Sequence, residues 1–216
     1  PQTRIGRFDL VIPPRHDHLH GANVCETAGS LHRLTPARLA EAAAAFGPRL
    51  DHLPHPRVAV LIGGSNSCYR LTPEIARRLA GQLAALAADS SVGLMVTPSR
   101  RTGAENIAIL RAALDRPDIA FWDFTGENPY FGYMALADAI IVTCDSVNMV
   151  SEACSTGKPV HVIELDGGNR KFNEFHATMR ERGCTRRFDG RIEQWTYEPP
   201  DDMIRAAARV RDLLSR

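Results

Sequence analysis

From residue 58 onward the chain alternates short, uniformly apolar runs with helix-patterned segments, and that alternation constrains its fold more than any other feature of its 216 residues. Residues 58–62, 92–96, 120–124, 139–143 and 159–165 read as strands, and helices are expected over 72–88, 104–114, 130–137 and 146–156. A strand that is apolar at every position has no face suited to water, so both of its faces must be covered. The intervening helices supply the cover. The expected fold class is therefore α/β, a Rossmann-like parallel sheet with helices on both faces.

The beginning of the chain follows another pattern. Residues 1–7 lead into Phe8-Asp9-Leu10-Val11-Ile12, an apolar run ended by Pro13 and Pro14. A buried-type strand with no βα unit before it cannot satisfy its ladder hydrogen bonds, so residues 1–15 are expected to be the end of a truncated N-terminal domain. A loop and a helix fill residues 16–56; the helix, over 37–46, is announced by Thr35 as N-cap and Pro36 in its first position, and is expected to close at Gly47-Pro48. Residues 57–198 make up the Rossmann-like domain. The remainder, 199–216, carries a last helix over 201–214, whose Met203, Ile204, Ala207, Ala208, Val210, Leu213 and Leu214 are expected to give it one face to bury.

Charge and cysteine usage exclude several functions. Lys and Arg number 26 against 25 Asp and Glu, a formal net charge of +1, so no global field draws nucleic acid or an anionic membrane. Five cysteines, none in a C-x-x-C pair, argue against a disulfide framework or a Cys-based zinc site and point to a cytoplasmic location. No apolar run reaches the ~18 residues a membrane span needs. The run His16-Asp17-His18-Leu19-His20 offers metal-ligating side chains. Ligands crowded into one flexible loop are seldom preorganised, so no metal is expected. His161 reads as a core histidine, and His176 is a weak candidate for a general base. Cys144, at a strand end before a helix, sits where a thiol pKa falls. Neither a G-x-S-x-G elbow nor an H-E-x-x-H pair occurs, and the catalytic residues stay unassigned.

In open parallel sheets ligands bind beyond the carboxyl ends of the strands. Four loops there carry chemistry. Gly63-Gly64-Ser65-Asn66 offers backbone N–H groups, a hydroxyl and an amide to an anion, although such a turn is a tight connection at least as often as a phosphate loop. Ser99-Arg100-Arg101-Thr102 places two guanidinium groups and two hydroxyls just before a helix start, an anion site suited to phosphate in which Arg100 is the first choice, against the alternative of a solvated basic loop. The loop from Thr125 to Tyr133 is aromatic, and Asn128 and Tyr130 are its candidates for holding a nucleobase; aromatics capping the core are the alternative. Asp145 and Ser146 open a helix whose second turn carries Glu152. That carboxylate is suited to a ribose diol, against the alternative of a solvent-facing helix residue.

Together Gly63-Gly64-Ser65, Ser99-Arg100-Arg101-Thr102 and the stretch from Ala137 through Asp145, Ser146 and Glu152 to Gly157-Lys158-Pro159-Val160 resemble the donor half of GT-B glycosyltransferases. The whole chain is similar to the mitochondrial fission protein family named for elongated mitochondria, as a bacterial-type member, through Phe8-Asp9-Leu10-Val11, Gly21-Ala22-Asn23-Val24 and Ala28-Gly29-Ser30-Leu31-His32-Arg33. The resemblance implies the C-terminal domain of a GT-B architecture. Gly63 to Asn66, Ser99 to Thr102, Asp145 and Ser146 would face the diphosphate of a nucleotide-diphosphate sugar, and Glu152 its ribose. No cofactor is implied beyond that donor. The catalytic base and acceptor contacts of such enzymes come from the other half, so this chain alone is expected to be inactive. The alternative function is a non-catalytic adaptor acting through protein partners. An apolar surface left by the absent half is expected to favour a homodimer.

Overall fold

The computed structural model describes residues 4–215, so the first three residues of the 1–15 segment lie outside the described residues. In chain order the strands are β1 (Arg57–Ile62), β2 (Tyr69–Arg70), β3 (Gly93–Pro98), β4 (Ile119–Phe121), β5 (Ala139–Thr143), β6 (Val160–Ile163), β7 (Asp166–Gly167) and β8 (Thr185–Arg187). The helices are α1 (Pro36–Leu50), α2 (Pro73–Ser90), α3 (Ala104–Ala113), α4 (Tyr130–Leu136), α5 (Val147–Cys154), α6 (Arg170–Glu181) and α7 (Asp202–Leu214). Six strands form one parallel sheet in the order β4-β3-β1-β5-β6-β8, while β2 and β7 pair antiparallel as a separate ribbon. The sheet is the Rossmann-like one that the apolar runs predict.

Burial explains the composition of its centre. Val58, Ala59, Val60, Leu61 and Ile62 of β1 are all 0% exposed, as are Ile140, Ile141 and Val142 of β5, so neither face of these strands meets water. The chain runs outward from β1 through β3 to β4, then returns to lay β5 on the other side of β1. Right-handed crossovers accordingly place α2 and α3 on one face and α4 and α5 on the other. In keeping with this, α2 packs on α3, and α1 packs on α4. The reversal at β1 leaves a crevice outside the carboxyl ends of β1, β3 and β5.

Helix ends are satisfied locally. Thr35, Thr72, Ser146 and Asn169 each accept a hydrogen bond from the third residue of the helix they precede. Lys158 closes α4 from a distance: its Nζ donates to the carbonyls of Met134 and Ala135, at 2.8 and 2.6 Å. A cation there meets the negative end of the helix dipole as well as two orphan acceptors.

Several expectations need correction. Residues 8–12 do not form a strand: after a 3-10 turn at Ile5–Arg7, only isolated parallel bridges join Val11 to Val24 and Pro14 to Thr27. Pro13 and Pro14 have no N–H to extend a ladder, and Phe8 is left 55% exposed. Helix α1 runs through Pro48 to Leu50, whose side chain is buried; the burial of Leu50 and Leu53 holds the last turn against the core. Strand β4 stops at Phe121, and Phe124 turns the chain with a φ of 71°. Helix α6 and strand β8 had no counterpart in the sequence reading.

The last helix also differs. Of its residues only Asp202 and Ala206 are buried, while Ile204 and Leu214 are 73% and 81% exposed. The face it buries is anchored by a carboxylate: Asp202 accepts from the backbone N–H groups of Ala28 and Gly29, at 2.8 and 3.0 Å, and from Arg205. This fixes the segment before α1 against α7 through polar contacts, which leaves much of the apolar stripe in water.

Candidate functional site

At the carboxyl end of β1, Gly63 and Gly64 meet the turn before α3 and the turn before α5. The expected anion cradle is occupied from within. The N–H of Gly63 donates to Thr143 Oγ1 at 2.8 Å, that of Gly64 to Asp145 Oδ2 at 3.1 Å, that of Ser65 to the carbonyl of Arg101 and that of Asn66 to the carbonyl of Tyr69. Arg101 reaches the same Asp145 Oδ2 at 2.8 Å, and the Thr143 hydroxyl donates to Oδ1 at 2.6 Å. The Asp145 side chain is 0% exposed. A buried carboxylate thus stands where a phosphate was expected, and it takes the amide, hydroxyl and guanidinium donors that a phosphate would use. The glycines serve this packing: a Cβ at Gly63 would strike the Asp145 carboxylate, and one at Gly64 the carbonyl of Arg101.

The capping box beside it is likewise structural. Ser99 Oγ and Thr102 Oγ1 both donate to the carbonyl of Gly63, while Thr102 Oγ1 accepts from the backbone of Ser99. Asn66 donates to the Asp145 carbonyl and accepts from the N–H groups of Cys68 and Tyr69. Of the residues expected at a diphosphate, Gly63, Gly64, Ser65, Asn66, Ser99, Arg101, Thr102 and Asp145 are therefore brought together, but into one mutually bonded unit. Ser146 caps α5 through Met149 N–H.

Arg100 is placed otherwise. Among the described residues it forms no ion pair or side-chain hydrogen bond, and it lines a cleft of about 860 Å³ with Ser99, Ala104, Trp122, Phe124, Asn128, Tyr130 and Met149. That volume lies within the ~300–1,000 Å³ usual for ligand pockets. Arg100 gives the cleft a cation, and the cleft is lined too by Ala104, where α3 begins without a side-chain cap, so the first-turn N–H groups lack a side-chain acceptor. Trp122 and Phe124 add an aromatic lining, their rings centred 4.7 Å apart. Trp122 donates its Nε1–H to the carbonyl of Thr125, which holds the loop against the cleft. Trp122, Phe124 and Met149 were not singled out in the sequence; the signal available was a tryptophan at the carboxyl end of an apolar run.

Glu152 lies behind this wall, 6% exposed, and accepts a hydrogen bond of 2.7 Å from the Tyr130 hydroxyl. The solvent-facing alternative for Glu152 is thereby removed. Burial, together with the Glu152 carboxylate, raises the pKa of Tyr130 well above that of an ordinary phenol, so its hydroxyl is a donor at neutral pH. Asn128 is exposed at the cleft mouth and uses its side-chain oxygen to accept from Tyr130 N–H at 3.0 Å.

The remaining titratable groups go elsewhere. His18 pairs with Glu174 and Asp17 with Lys171, both on α6, while His20 pairs with Glu26. His161 is 1% exposed between Trp195 and Phe188, and its Nε2 accepts from Glu193 N–H. Cys144 reverses its expectation: burial pushes its thiol up to about 11, against the lowering effect of the Leu165 N–H and with the neighbouring Asp145 carboxylate adding to the rise.

Comparison with known proteins bears on this geometry. The family model described as mitochondrial fission ELM1 matches residues 1–214. Mitochondrial fission protein ELM1 of Arabidopsis thaliana is 35% identical over 242 aligned residues, covering 100% of this chain and 56% of the relative. An uncharacterised protein of Rickettsia prowazekii is 27% identical over 209 residues, covering 93% of this chain and 58% of that protein. The chain thus spans little more than half the length of these curated relatives. Among solved structures, WaaG, a glycosyltransferase involved in lipopolysaccharide biosynthesis, aligns over 92% of this chain and 49% of its own, at 15% identity and a TM-score of 0.47. No described helix is long and apolar enough to cross a membrane.

Proposed function

Because the chain belongs to the mitochondrial fission ELM1 family, we propose that its cleft binds a nucleotide-diphosphate sugar, as the donor half of a GT-B-type glycosyltransferase does. The observation that carries this reading is an uncommitted guanidinium and an aromatic pair lining one cleft: Arg100 with Trp122 and Phe124. An aromatic pair offers a nucleobase a stacking face, and a guanidinium beside a helix start suits phosphate oxygens. In this arrangement the diphosphate lies on Arg100 and the first turn of α3 rather than on Gly63 and Gly64, whose N–H groups are taken. Tyr130 then lines the cleft with its hydroxyl held by the Glu152 carboxylate behind it. Transfer of the sugar requires an acceptor and a base that this reading does not locate within the chain. Five free cysteines support a reducing compartment such as the cytoplasm.

Trp122 makes the proposal measurable. Titration with nucleotide diphosphates should quench tryptophan fluorescence in the wild-type protein, and Trp122→Phe should remove the signal, since Trp195, the second tryptophan, packs on His161 outside the cleft. Fluorescence that no nucleotide diphosphate changes would count against it.

A second reading has one specific observation in its favour. The buried Asp145 carboxylate closes the glycine-loop cradle, as it would in a shell retained as an adaptor for protein partners. Under that reading Arg100→Ala and Trp122→Phe leave partner capture intact and nucleotides have no effect.

A further inference from the structure

The polar side chains that line the cleft differ in what they have left to offer a ligand. Trp122 spends its Nε1–H on the carbonyl of Thr125, Tyr130 its hydroxyl hydrogen on Glu152, and Ser99 its own on the carbonyl of Gly63. The Oγ1 of Thr97 is buried, out of a ligand's reach. Arg100 is uncommitted, and so is one half of an amide. Asn128 accepts the N–H of Tyr130 on its Oδ1 at 3.0 Å, while its Nδ2 has no hydrogen-bond partner among the described residues. A backbone N–H donates and never accepts, so it selects the oxygen of the side-chain amide and leaves the nitrogen free.

The consequence for a nucleobase is one-sided. Apart from Arg100, the side chains lining the cleft present the Nδ2 donor of Asn128 and no uncommitted amide or carboxylate oxygen. A carbonyl on the base pairs with that donor. An exocyclic amino group meets it donor against donor, and neither group is satisfied. Cytosine, adenine and guanine each carry an amino group on the base edge. Uracil and thymine carry carbonyl oxygens at both exocyclic positions, so they meet Nδ2 with an acceptor whichever of the two faces it.

We propose, resting on the nucleotide reading of the cleft, that Asn128 selects the base and that the ligand is the diphosphate of a 2,4-dioxopyrimidine nucleoside. One carbonyl oxygen of the base accepts from Nδ2 while its ring lies on Trp122 and Phe124. Arg100 holds the diphosphate, which every nucleotide shares, and takes no part in the choice. Because Asn128 is exposed at the cleft mouth, its substitution tests recognition and leaves the core untouched.

The test is calorimetric titration of wild type, Asn128→Ser and Asn128→Asp with UDP, thymidine diphosphate, CDP, ADP and GDP. UDP and CDP differ only along the edge at the 4-position, so the ratio of their affinities isolates the contact. The tighter of UDP and thymidine diphosphate should bind wild type at least about tenfold more tightly than CDP, ADP or GDP, and the comparison of those two identifies the base. Asn128→Ser keeps an oxygen for the Tyr130 N–H but offers the base a hydroxyl that donates or accepts, and should bring UDP and CDP within about threefold. Asn128→Asp replaces the donor with an acceptor and should turn the ratio in favour of CDP; its added charge weakens all the diphosphates alike and cancels in the ratio. Binding of no nucleotide by wild type would strike the nucleotide reading and this inference with it. Nucleotides that bind with CDP, ADP or GDP as tight as UDP and thymidine diphosphate, or a preference that survives in Asn128→Ser, would leave that reading standing and overturn the role of Asn128.

Discussion

Arg101 and Asp145 meet at 2.8 Å across the carboxyl ends of β3 and β5, the guanidinium 42% exposed and the carboxylate wholly buried. The pair is asymmetric, because only the carboxylate has left water. Removing Arg101 takes one of three donors from a charge that cannot be rehydrated. Arg101→Ala should lower stability by about 1–3 kcal/mol, less than a fully buried pair would give because the arginine is screened. Urea unfolding checks this. A change within error would mean that Thr143 and Gly64 hold the carboxylate without the arginine.

Tyr130 and Glu152 make a second such pair, at 2.7 Å. Tyr130→Phe leaves a buried carboxylate oxygen without its donor and should cost about 1–3 kcal/mol. Glu152→Gln keeps an acceptor for the hydroxyl and should cost less. A double-mutant cycle in urea should give a coupling energy above about 0.5 kcal/mol; additive costs would show that the bond contributes nothing net.

Cys144 sets an alkaline limit. Its thiol ionises near 9 when unfolded and about 11 when folded. Below 9 both states hold the proton and the group has no effect on stability. Above it the unfolded state sheds the proton first, so stability falls as pH rises from 9 to 11, by up to about 2–3 kcal/mol. Cys144→Ala should flatten that decline. Iodoacetamide should modify the half-buried Cys25 and Cys68 well before Cys144 in the folded protein; prompt labelling of Cys144 would refute the burial argument.

Acid should destabilise the fold through its histidines. Burial lowers the folded pKa of His16, His32, His161 and His176 below 6.5. As pH falls below that value the unfolded chain binds protons that the folded one refuses, and stability drops. Melting temperatures should decline steadily below pH 6.5, and His161→Phe should reduce the slope. A flat profile would contradict the assignment.

Much of this architecture is written in the apolar runs. Residues 139–143 and 58–62 are legible because a strand buried on both faces has no polar alternate to confuse its period. Helix α6 and strand β8 escaped the same reading for the opposite reason. Strand β8 reads Thr-Arg-Arg at the sheet edge, and α6 buries only Phe175, His176 and Met179 among charged neighbours. The cap at Asn169 and the three-and-four spacing of those residues were the available signal. In the site, a motif of donors could be recognised, but its partner could not: nothing in the order of residues says that the acceptor for Gly64 and Arg101 is the chain's own Asp145. That depends on the register of β1 against β5, a tertiary fact. Arg100 and Arg101 are equivalent as neighbours in sequence, and the turn between them sends one inward to a carboxylate and the other to the cleft.

The most direct test of the cleft is a thermal-shift panel of UDP, GDP, ADP, CDP and their sugar conjugates on wild type, Arg100→Ala and Arg101→Ala. A nucleotide held at a hundredfold excess over its dissociation constant stabilises by about 2.7 kcal/mol, a rise in melting temperature of about 5–10 °C for a chain of this size. The account predicts that one nucleotide family gives this rise, that Arg100→Ala abolishes it, and that Arg101→Ala, though less stable, retains it. A rise that depends on Arg101 rather than Arg100, or no rise with any nucleotide, would contradict it.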